Sequence, residues 1–176
     1  MKEFWDERFS SDEYVYGEEP NEYLKAKLSE LYPGEIMFAA EGEGRNAVYA
    51  AREDWKVTAF DQSREGKKKA MKLAEKHEVK IDYRVGDLLE LGYEKDEVDV
   101  IALIYAHFPK ELREEYHKLL LSYLRRDGLV IFEGFSKKHT AYQKANPKVG
   151  GPKDEELLFS CLLYTSPSPR DRTRSR

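Results

Sequence analysis

The chain has 176 residues, enough for one domain built around a single hydrophobic core. Charged residues make up 36% and the net charge is −4, a balance that predicts no nucleic-acid partner. No apolar run approaches the roughly 20 residues that cross a bilayer, so we expect no membrane partner. The single cysteine, Cys161, cannot form an internal disulfide, which favours a cytoplasmic location. We expect a monomer without a metal site.

The N-terminal region is polar but rich in aromatic residues. Residues 4–9 suit a short helix, and residues 12–21 suit an irregular loop because Gly17 and Pro20 interrupt it. Asn21 is typical of an N-cap for a helix over Glu22–Leu31. Tyr16 either covers one end of the core or belongs to a lid over a ligand, and the sequence leaves both interpretations open.

The stretch from Glu35 to Asp61 organises the rest of the chain. A buried strand over Ile36–Ala40 leads into a turn, residues 41–44, in which Gly42 and Gly44 allow a ligand close to the backbone. A helix over residues 45–52 and a strand ending in Asp61 complete a nucleotide-binding βαβ unit. The turn is expected to present free backbone N–H groups at the start of this helix.

The remaining elements alternate between helices and strands, which predicts a Rossmann-like α/β fold: a parallel sheet with helices on both faces. We expect a helix from the Ser63 cap to about Glu78, strands over Ile81–Val85 and Val98–Ile104, a helix over Lys110–Leu124, a strand over Leu129–Phe135, a polar loop over Lys137–Lys153, and a helix capped by Asp154.

The last residues differ in composition from the body of the chain. Residues 161–176 alternate arginine with serine and threonine and include Pro167 and Pro169. One interpretation is a disordered basic tail that contacts RNA. We favour another: Tyr164–Asp171 resembles a translated sequencing-adapter read-through. The expected division is therefore an incomplete domain over residues 1–160 and a non-native or disordered tail over 161–176.

These motifs together resemble class I S-adenosylmethionine (SAM) dependent methyltransferases, within the small-molecule branch of tellurite-resistance and thiopurine-type enzymes. The resemblance spans residues 4–160. It rests on the following motifs: Phe4-Trp5 with Arg8-Phe9, Tyr16-Gly17-Glu-Glu-Pro20-Asn21, Ala40-Glu-Gly-Glu-Gly-Arg-Asn46, Val57-Thr-Ala-Phe-Asp61, Gly86-Asp87-Leu88, His107-Phe-Pro109 and Gly150-Gly-Pro-Lys-Asp154. It implies the methyltransferase-type sheet, here lacking the last two strands of the family.

The resemblance also implies a SAM site. Asp61 would hold the ribose hydroxyls, Asp87 would face the adenine amino group, and Leu88 would lie beside the ring. Gly42 and Gly44 would lie under the methionine and ribose portions. The further cofactor contacts expected are Tyr16, Asn21, Glu41, Asn46, Gln62 and Tyr105.

The chain departs from the family pattern in strand one, where Phe38 replaces an acid and Ala40 replaces the first glycine. Glu41 or the N-terminal loop is expected to compensate. His107 is the candidate catalytic residue, because it follows strand four beside the expected methyl position; a rim histidine bonded to backbone is the other interpretation. Arg45 and Asn46 either bind an anionic acceptor or cap the turn.

A SAM methyl group is already activated, so a soft anion such as a thiolate or a selenium or tellurium oxyanion needs no dedicated base. We therefore expect methyl transfer to a small-molecule acceptor of this kind. An NAD(P)-dependent oxidoreductase is the first alternative, since Gly42-x-Gly44-x-x-Ala47 fits that pattern too. An inactive, truncated SAM-binding fragment is the second.

Overall fold

The computed structural model of the chain describes residues 2–159. Cys161 and the predicted tail lie outside the described residues. The helices and strands, in chain order, are α1 (Lys2–Phe9), α2 (Glu22–Leu28), β1 (Glu35–Ala39), α3 (Arg45–Arg52), β2 (Lys56–Asp61), α4 (Arg64–Lys76), β3 (Asp82–Val85), β4 (Val98–Ile104), α5 (Lys110–Tyr123), β5 (Leu124–Glu133) and α6 (His139–Ala145), followed by a 3-10 turn (Glu155–Leu157).

The five strands form one parallel sheet with the order β3-β2-β1-β4-β5, as the alternation of elements predicted. The chain leaves β1 towards β2 and later crosses to β4 on the other side of β1. This reversal of direction creates a crevice at the carboxyl ends of β1 and β4. Ligands of open α/β sheets bind at such a crevice.

Each face of the sheet supports its own hydrophobic layer. Alternate residues of the central strands, among them Ile36 and Phe38, pack with α2, α3 and α4. The opposite set, including Met37 and Ile101, packs with α5. This alternation explains why β1 and β4 read as continuous apolar runs, since strands covered on both faces need apolar residues at every position.

The predicted caps of two helices are confirmed. The Asn21 side chain accepts a hydrogen bond from the backbone N–H of Leu24 (2.9 Å), and Ser63 accepts from that of Gly66 (3.0 Å). Each satisfies a backbone donor that a first helical turn leaves without an intrahelical partner. Asp154 likewise accepts from Glu156 (2.9 Å), although the element it starts is a 3-10 turn rather than a helix.

Several predicted boundaries were wrong. Helix α2 ends at Leu28 rather than Leu31, and β5 spans Leu124–Glu133 rather than Leu129–Phe135. The early start of β5 follows from Leu124 pairing with Val98, with a register irregularity before Leu129 pairs with Val100. Residues 137–153 are not all loop, because α6 lies within them and the buried ring of His139 anchors it.

Candidate active site

A cleft of about 450 Å³, including the part open to solvent, lies at the carboxyl ends of the central strands. Its floor comes from residues at or after the ends of β1, β2 and β3, and its walls come from the segment after β4 and from α5. The lining residues are Trp5, Ala40, Phe60, Asp61, Gln62, Gly86, Leu88, His107, Phe108, Pro109 and Tyr116. This mixture of apolar rings with few polar groups is typical of small-molecule sites.

Asp61 is the buried acid of the cleft. Its Oδ2 accepts from the backbone N–H of Gly42 (3.0 Å) and its Oδ1 from that of Ser63 (2.8 Å). Burial raises the pKa of Asp61, and the backbone hydrogen bonds oppose that rise. Each carboxylate oxygen has two lone pairs, so both can still accept a hydrogen bond from a ligand hydroxyl.

The glycine turn, residues 41–44, satisfies its neighbouring N–H groups internally. Oε1 of Glu41 accepts from the backbone N–H of Asn46 (2.8 Å) and of Ala47 (2.9 Å). The expectation of free N–H groups at the start of α3 was therefore wrong for these two, because the Glu41 carboxylate caps them. Burial raises the pKa of Glu41 to about 7, while hydrogen bonds from Ala47 and Asn46 lower it.

Asn46 joins this turn to the N-terminal region. Its Oδ1 accepts from the backbone N–H of Asn21 (2.9 Å), and its Nδ2 donates to Glu41 (3.4 Å). Arg45 donates to the carbonyl oxygens of Tyr16 (3.0 Å) and Glu19 (3.4 Å). Arg45 and Asn46 were expected either to bind an anionic acceptor or to cap the turn. These contacts agree with the second interpretation, since both side chains join the turn to the N-terminal region.

The two glycines of the turn permit close packing. Gly44 has φ +86°, and a Cβ placed there would lie 2.5 Å from the Cβ of Ala70 in α4. Gly42 has φ +63°, and its Cβ would lie 3.0 Å from the ring of Phe9. Neither glycine lines the cleft, so in this structure they hold α4 and α1 against the turn.

Helix α1 covers the cleft. Trp5 lines the cleft and stacks on Phe9, with ring centroids 5.3 Å apart. Oδ1 of Asp6 accepts from Oγ of Ser63 (2.6 Å) and from the backbone N–H of Arg64 (2.8 Å). The Ser63 hydrogen bond is the main cause that lowers the pKa of Asp6. An ionised acid at the start of α4 also complements the helix dipole.

Asp87 lies next to the cleft between two lining residues, Gly86 and Leu88. Tyr116 donates to its Oδ2 (2.5 Å) and the backbone N–H of Leu89 donates to its Oδ1 (3.0 Å). The pKa of Tyr116 is raised by burial and by this carboxylate, which keeps the hydroxyl protonated. Asp87 is thus held rigidly, and its adenine contact stays a prediction.

His107 lies in the wall of the cleft after β4. Its Nδ1 lies 3.0 Å from the carbonyl oxygen of Leu157. A carbonyl can only accept, so Nδ1 carries the proton and the neutral ring has its lone pair on Nε2. Nε2 is buried and has no hydrogen-bond partner among residues 2–159. Burial lowers the pKa of His107 and so favours this neutral form.

The segment that supplies the Leu157 carbonyl is fixed against the sheet. Phe159 donates its N–H to the carbonyl of Phe135 (2.9 Å), and Arg113 donates to the carbonyl of Glu156 (2.5 Å). The ring of Phe159 lies 5.3 Å from that of His107. Residues far along the chain therefore set the tautomer of His107.

Tyr105 follows β4 directly and bonds to the end of β5. Its hydroxyl donates to Oε1 of Glu133 (2.8 Å), and its backbone N–H donates to the carbonyl of the same residue (2.7 Å). Tyr105 has φ +55°, a region that costs a non-glycine residue roughly 1–3 kcal/mol. Tyr105 is 37% exposed and does not line the cleft.

The predicted site residues fall into two groups. Asp61, Gln62, Leu88 and His107 line the cleft. The others do not line it: Tyr16, Asn21, Glu41, Gly42, Gly44, Asn46, Asp87 and Tyr105. Other side chains line the cleft without having been predicted as site residues, among them Trp5, Phe60, Phe108 and Tyr116. Tyr116 repeats with the apolar period of α5, which indicated core packing instead.

Within residues 2–159, no helix is long and apolar enough to cross a membrane. The same residues contain no cluster of three or more His, Cys, Asp or Glu side chains that could hold a metal ion.

Comparisons with solved structures give the fold. One structure, from work on the conversion of a disulfide bond into a thioacetal group during echinomycin biosynthesis, is 20% identical over 92% of this chain and 74% of its own (TM-score 0.71). A Pyrococcus horikoshii OT3 protein is 21% identical over 77% and 66% (TM-score 0.65). A SAM-dependent methyltransferase from Geobacter sulfurreducens, in complex with S-adenosyl-L-homocysteine, is 22% identical over 69% and 51% (TM-score 0.57).

The chain thus spans between about half and three quarters of these structures' lengths. A comparison with curated proteins found no match. The family model described as a methyltransferase domain matches residues 36–128, more than half of the sequence, from the start of β1 into β5. The chain belongs to this methyltransferase domain family.

Proposed function

We propose that this protein binds SAM in the cleft and transfers its methyl group to a small-molecule acceptor. The observation that carries the proposal is the buried acid Asp61 at the carboxyl end of β2, beside the glycine turn and an apolar pocket wall. An acid at that position accepts hydrogen bonds from ribose hydroxyls in nucleotide-binding sheets.

The residues present suit an adenosyl ligand. Phe60 and Leu88 offer apolar surface for a purine ring, and Gln62 follows the ribose-binding acid. In this proposal, Asp87 accepts a hydrogen bond from the adenine amino group, and the hydrogen bond from Tyr116 holds its carboxylate. Trp5 in α1 would cover the bound ligand and exclude water. In this proposal, Glu41, Gly44 and Asn46 shape the turn.

When bound, SAM supplies a methyl group already activated on a sulfonium. The protein then has to align the acceptor, keep out water and receive a proton where the acceptor carries one. His107 is the proposed proton acceptor, because its Nε2 bears the lone pair in the tautomer fixed by Leu157. A general base of this kind contributes typically 10²–10⁴-fold to rate.

Two acceptor classes follow. The sequence suggested a thiolate or a selenium or tellurium oxyanion, acceptors that need no base. The tautomer of His107 adds a second class, nucleophiles that still carry a proton: amines, hydroxyls and undissociated thiols. Methyl transfer to an acceptor of the first class does not need His107 as a base. The effect of replacing His107 on the rate of methyl transfer therefore distinguishes the two acceptor classes.

The test is calorimetric titration of S-adenosylhomocysteine into the full chain, with NAD as the control ligand. We expect micromolar affinity for S-adenosylhomocysteine and none for NAD. Fluorescence gives a local readout: Trp5 and Trp55 are the two tryptophans of the chain, so a Trp55→Phe variant reports on Trp5 alone. Binding in the cleft should change its emission. Binding of NAD alone would reverse the assignment to an oxidoreductase.

Cofactor binding without methyl transfer to any acceptor would identify the chain as an inactive SAM-binding fragment. We further propose that the protein acts as a cytoplasmic monomer. The single cysteine, which cannot form an internal disulfide, supports the cytoplasmic location.

A further inference from the structure

Glu133, at the carboxyl end of β5, holds a carboxylate oxygen that needs a donor. Its Oε1 accepts from the hydroxyl of Tyr105, whereas its Oε2 is buried and has no partner within residues 2–159. A buried acceptor left without a hydrogen bond costs roughly 1–3 kcal/mol, and more when charged. Buried polar groups in native proteins are nearly always hydrogen-bonded, so an unpartnered carboxylate oxygen calls for a functional explanation.

Tyr105 fixes this carboxylate in place. Two hydrogen bonds connect Tyr105 to Glu133, one from its hydroxyl and one from its backbone N–H. Tyr105 makes both bonds from a left-handed backbone conformation. Burial and the hydrogen bond to Glu133 raise the pKa of Tyr105 to about 12, so the tyrosine remains the donor and the carboxylate the acceptor.

Phe135 connects this pair to the cleft. Its ring centroid lies 4.8 Å from that of Tyr105 and 5.7 Å from that of His107, which lines the cleft. The rings of Tyr105, which donates to Glu133, and of His107 thus lie against the same aromatic ring. Aromatic faces beside a carboxylate are a favourable environment for an amine or ammonium group.

We infer that Glu133, positioned by Tyr105, binds the N–H group of an amine that is the methyl acceptor. The inference rests on the proposed function and names its substrate class. The amine nitrogen forms the new N–CH₃ bond with its lone pair, the electron pair of the S–CH₃ bond stays on sulfur, and the displaced proton passes to Nε2 of His107.

The same arrangement disfavours an oxyanion acceptor. A selenium or tellurium oxyanion near Glu133 would meet a carboxylate of like charge. Arg45 lies close enough to Tyr105 for its positive charge to oppose the rise in the pKa of that tyrosine. Its guanidinium, however, donates to the carbonyl oxygens of Tyr16 and Glu19. The charge and hydrogen-bond pattern therefore favour a donor-bearing acceptor.

The experiment uses the full chain saturated with S-adenosylhomocysteine and three probes that differ in one group: ethanolamine, 2-mercaptoethanol and ethylene glycol. Ligand-observed NMR gives the dissociation constant of each probe. The variants are Glu133→Gln, which keeps size and removes charge, and Tyr105→Phe, which removes the positioning hydroxyl. Glu114→Gln is the control, because it removes the same charge from an exposed residue of α5.

We expect the wild-type chain and Glu114→Gln to bind ethanolamine at least about 10-fold more tightly than either other probe. The other probes lack the amine and therefore lose a charge-assisted hydrogen bond to Glu133, and the loss of such a bond has about this effect. Glu133→Gln should reduce that preference to within about twofold, and Tyr105→Phe should reduce it partly. In Glu133→Gln, the affinity for S-adenosylhomocysteine should not change. No amine preference, or one that Glu133→Gln leaves intact, would overturn the inference. If the wild-type chain does not bind S-adenosylhomocysteine, the proposed function itself is refuted.

Discussion

The carboxylate of Asp61 accepts a hydrogen bond from the backbone N–H of Gly42, with 3.0 Å between Oδ2 and N. This contact joins the end of β2 to the glycine turn after β1. The hydroxyl of Tyr83 holds the other side of the turn by donating to the carbonyl of Gly42 (2.6 Å). The acid and the turn therefore form one rigid unit before any ligand arrives.

Replacing Asp61 should weaken cofactor binding. We expect Asp61→Ala to cost roughly 1–3 kcal/mol in affinity for S-adenosylhomocysteine, because the ligand loses a charged hydrogen-bond acceptor. Calorimetric titration measures this. Asp82→Ala is the control, since Asp82 is an exposed acid at the opposite end of a neighbouring strand. Circular dichroism verifies folding, and unchanged affinity in folded Asp61→Ala would remove the ribose assignment.

Gly44→Ala should destabilise the domain through packing. A methyl group there would lie 2.5 Å from Cβ and 2.7 Å from Cα of Ala70, and the residue has φ +86°. We expect a loss of about 2–5 kcal/mol in the free energy of unfolding, measured with urea.

Gly92→Ala is the matched control for this packing argument. Gly92 has a similar positive φ of +61° but nothing within 4 Å of an added Cβ. Gly92→Ala should lower the free energy of unfolding by about 1 kcal/mol, because only the left-handed backbone conformation then disfavours the alanine. Equal losses in the two variants would show that α4 does not need a glycine at position 44.

Glu41 should make stability depend on pH in an unusual direction. Its folded pKa of about 7 lies above its ordinary value of 4.5, so the folded state holds the proton more tightly than the unfolded state. The protonated Glu41 therefore adds about 3 kcal/mol to the free energy of unfolding below about pH 4.5, and this contribution is lost as the pH rises to about 7. Urea unfolding of wild type and Glu41→Gln across pH 4–8 measures it.

The two stability curves should diverge in that window. The wild-type curve includes the loss of the Glu41 contribution between pH 4.5 and 7 and the Gln curve does not, so their difference isolates this one residue. Parallel curves would mean that Glu41 is ionised throughout while it caps α3.

His107 should act on turnover and not on cofactor affinity. For a proton-bearing acceptor, His107→Asn is expected to lower kcat by about 10²–10⁴-fold, because the variant lacks the imidazole base. Burial lowers the pKa of His107, so the wild-type advantage should persist below the usual histidine range and fall only at more acid pH. Steady-state kinetics across pH gives the ratio of the two rates.

S-Adenosylhomocysteine affinity controls for structural damage in His107→Asn. An unchanged kcat would identify His107 as a rim residue bonded to the backbone of Leu157. It would also favour an anionic acceptor that needs no base.

Local patterns in the sequence determined much of this fold. The buried strands, the caps Asn21 and Ser63 and the alternation that requires a parallel sheet all depend on residues close together in the chain. The Asp61 prediction also succeeded in placing an acid at the cleft, because a residue at the end of a parallel strand must lie at the edge where ligands bind.

Tertiary structure decided the rest of the site. Trp5 lines the cleft in a helix that Asp6 joins to Ser63, and the tautomer of His107 depends on the carbonyl of Leu157. Glu133 meets Tyr105 only because β5 pairs with β4. Such contacts join residues dozens of positions apart, and their geometry depends on packing of the whole chain, which no local pattern encodes.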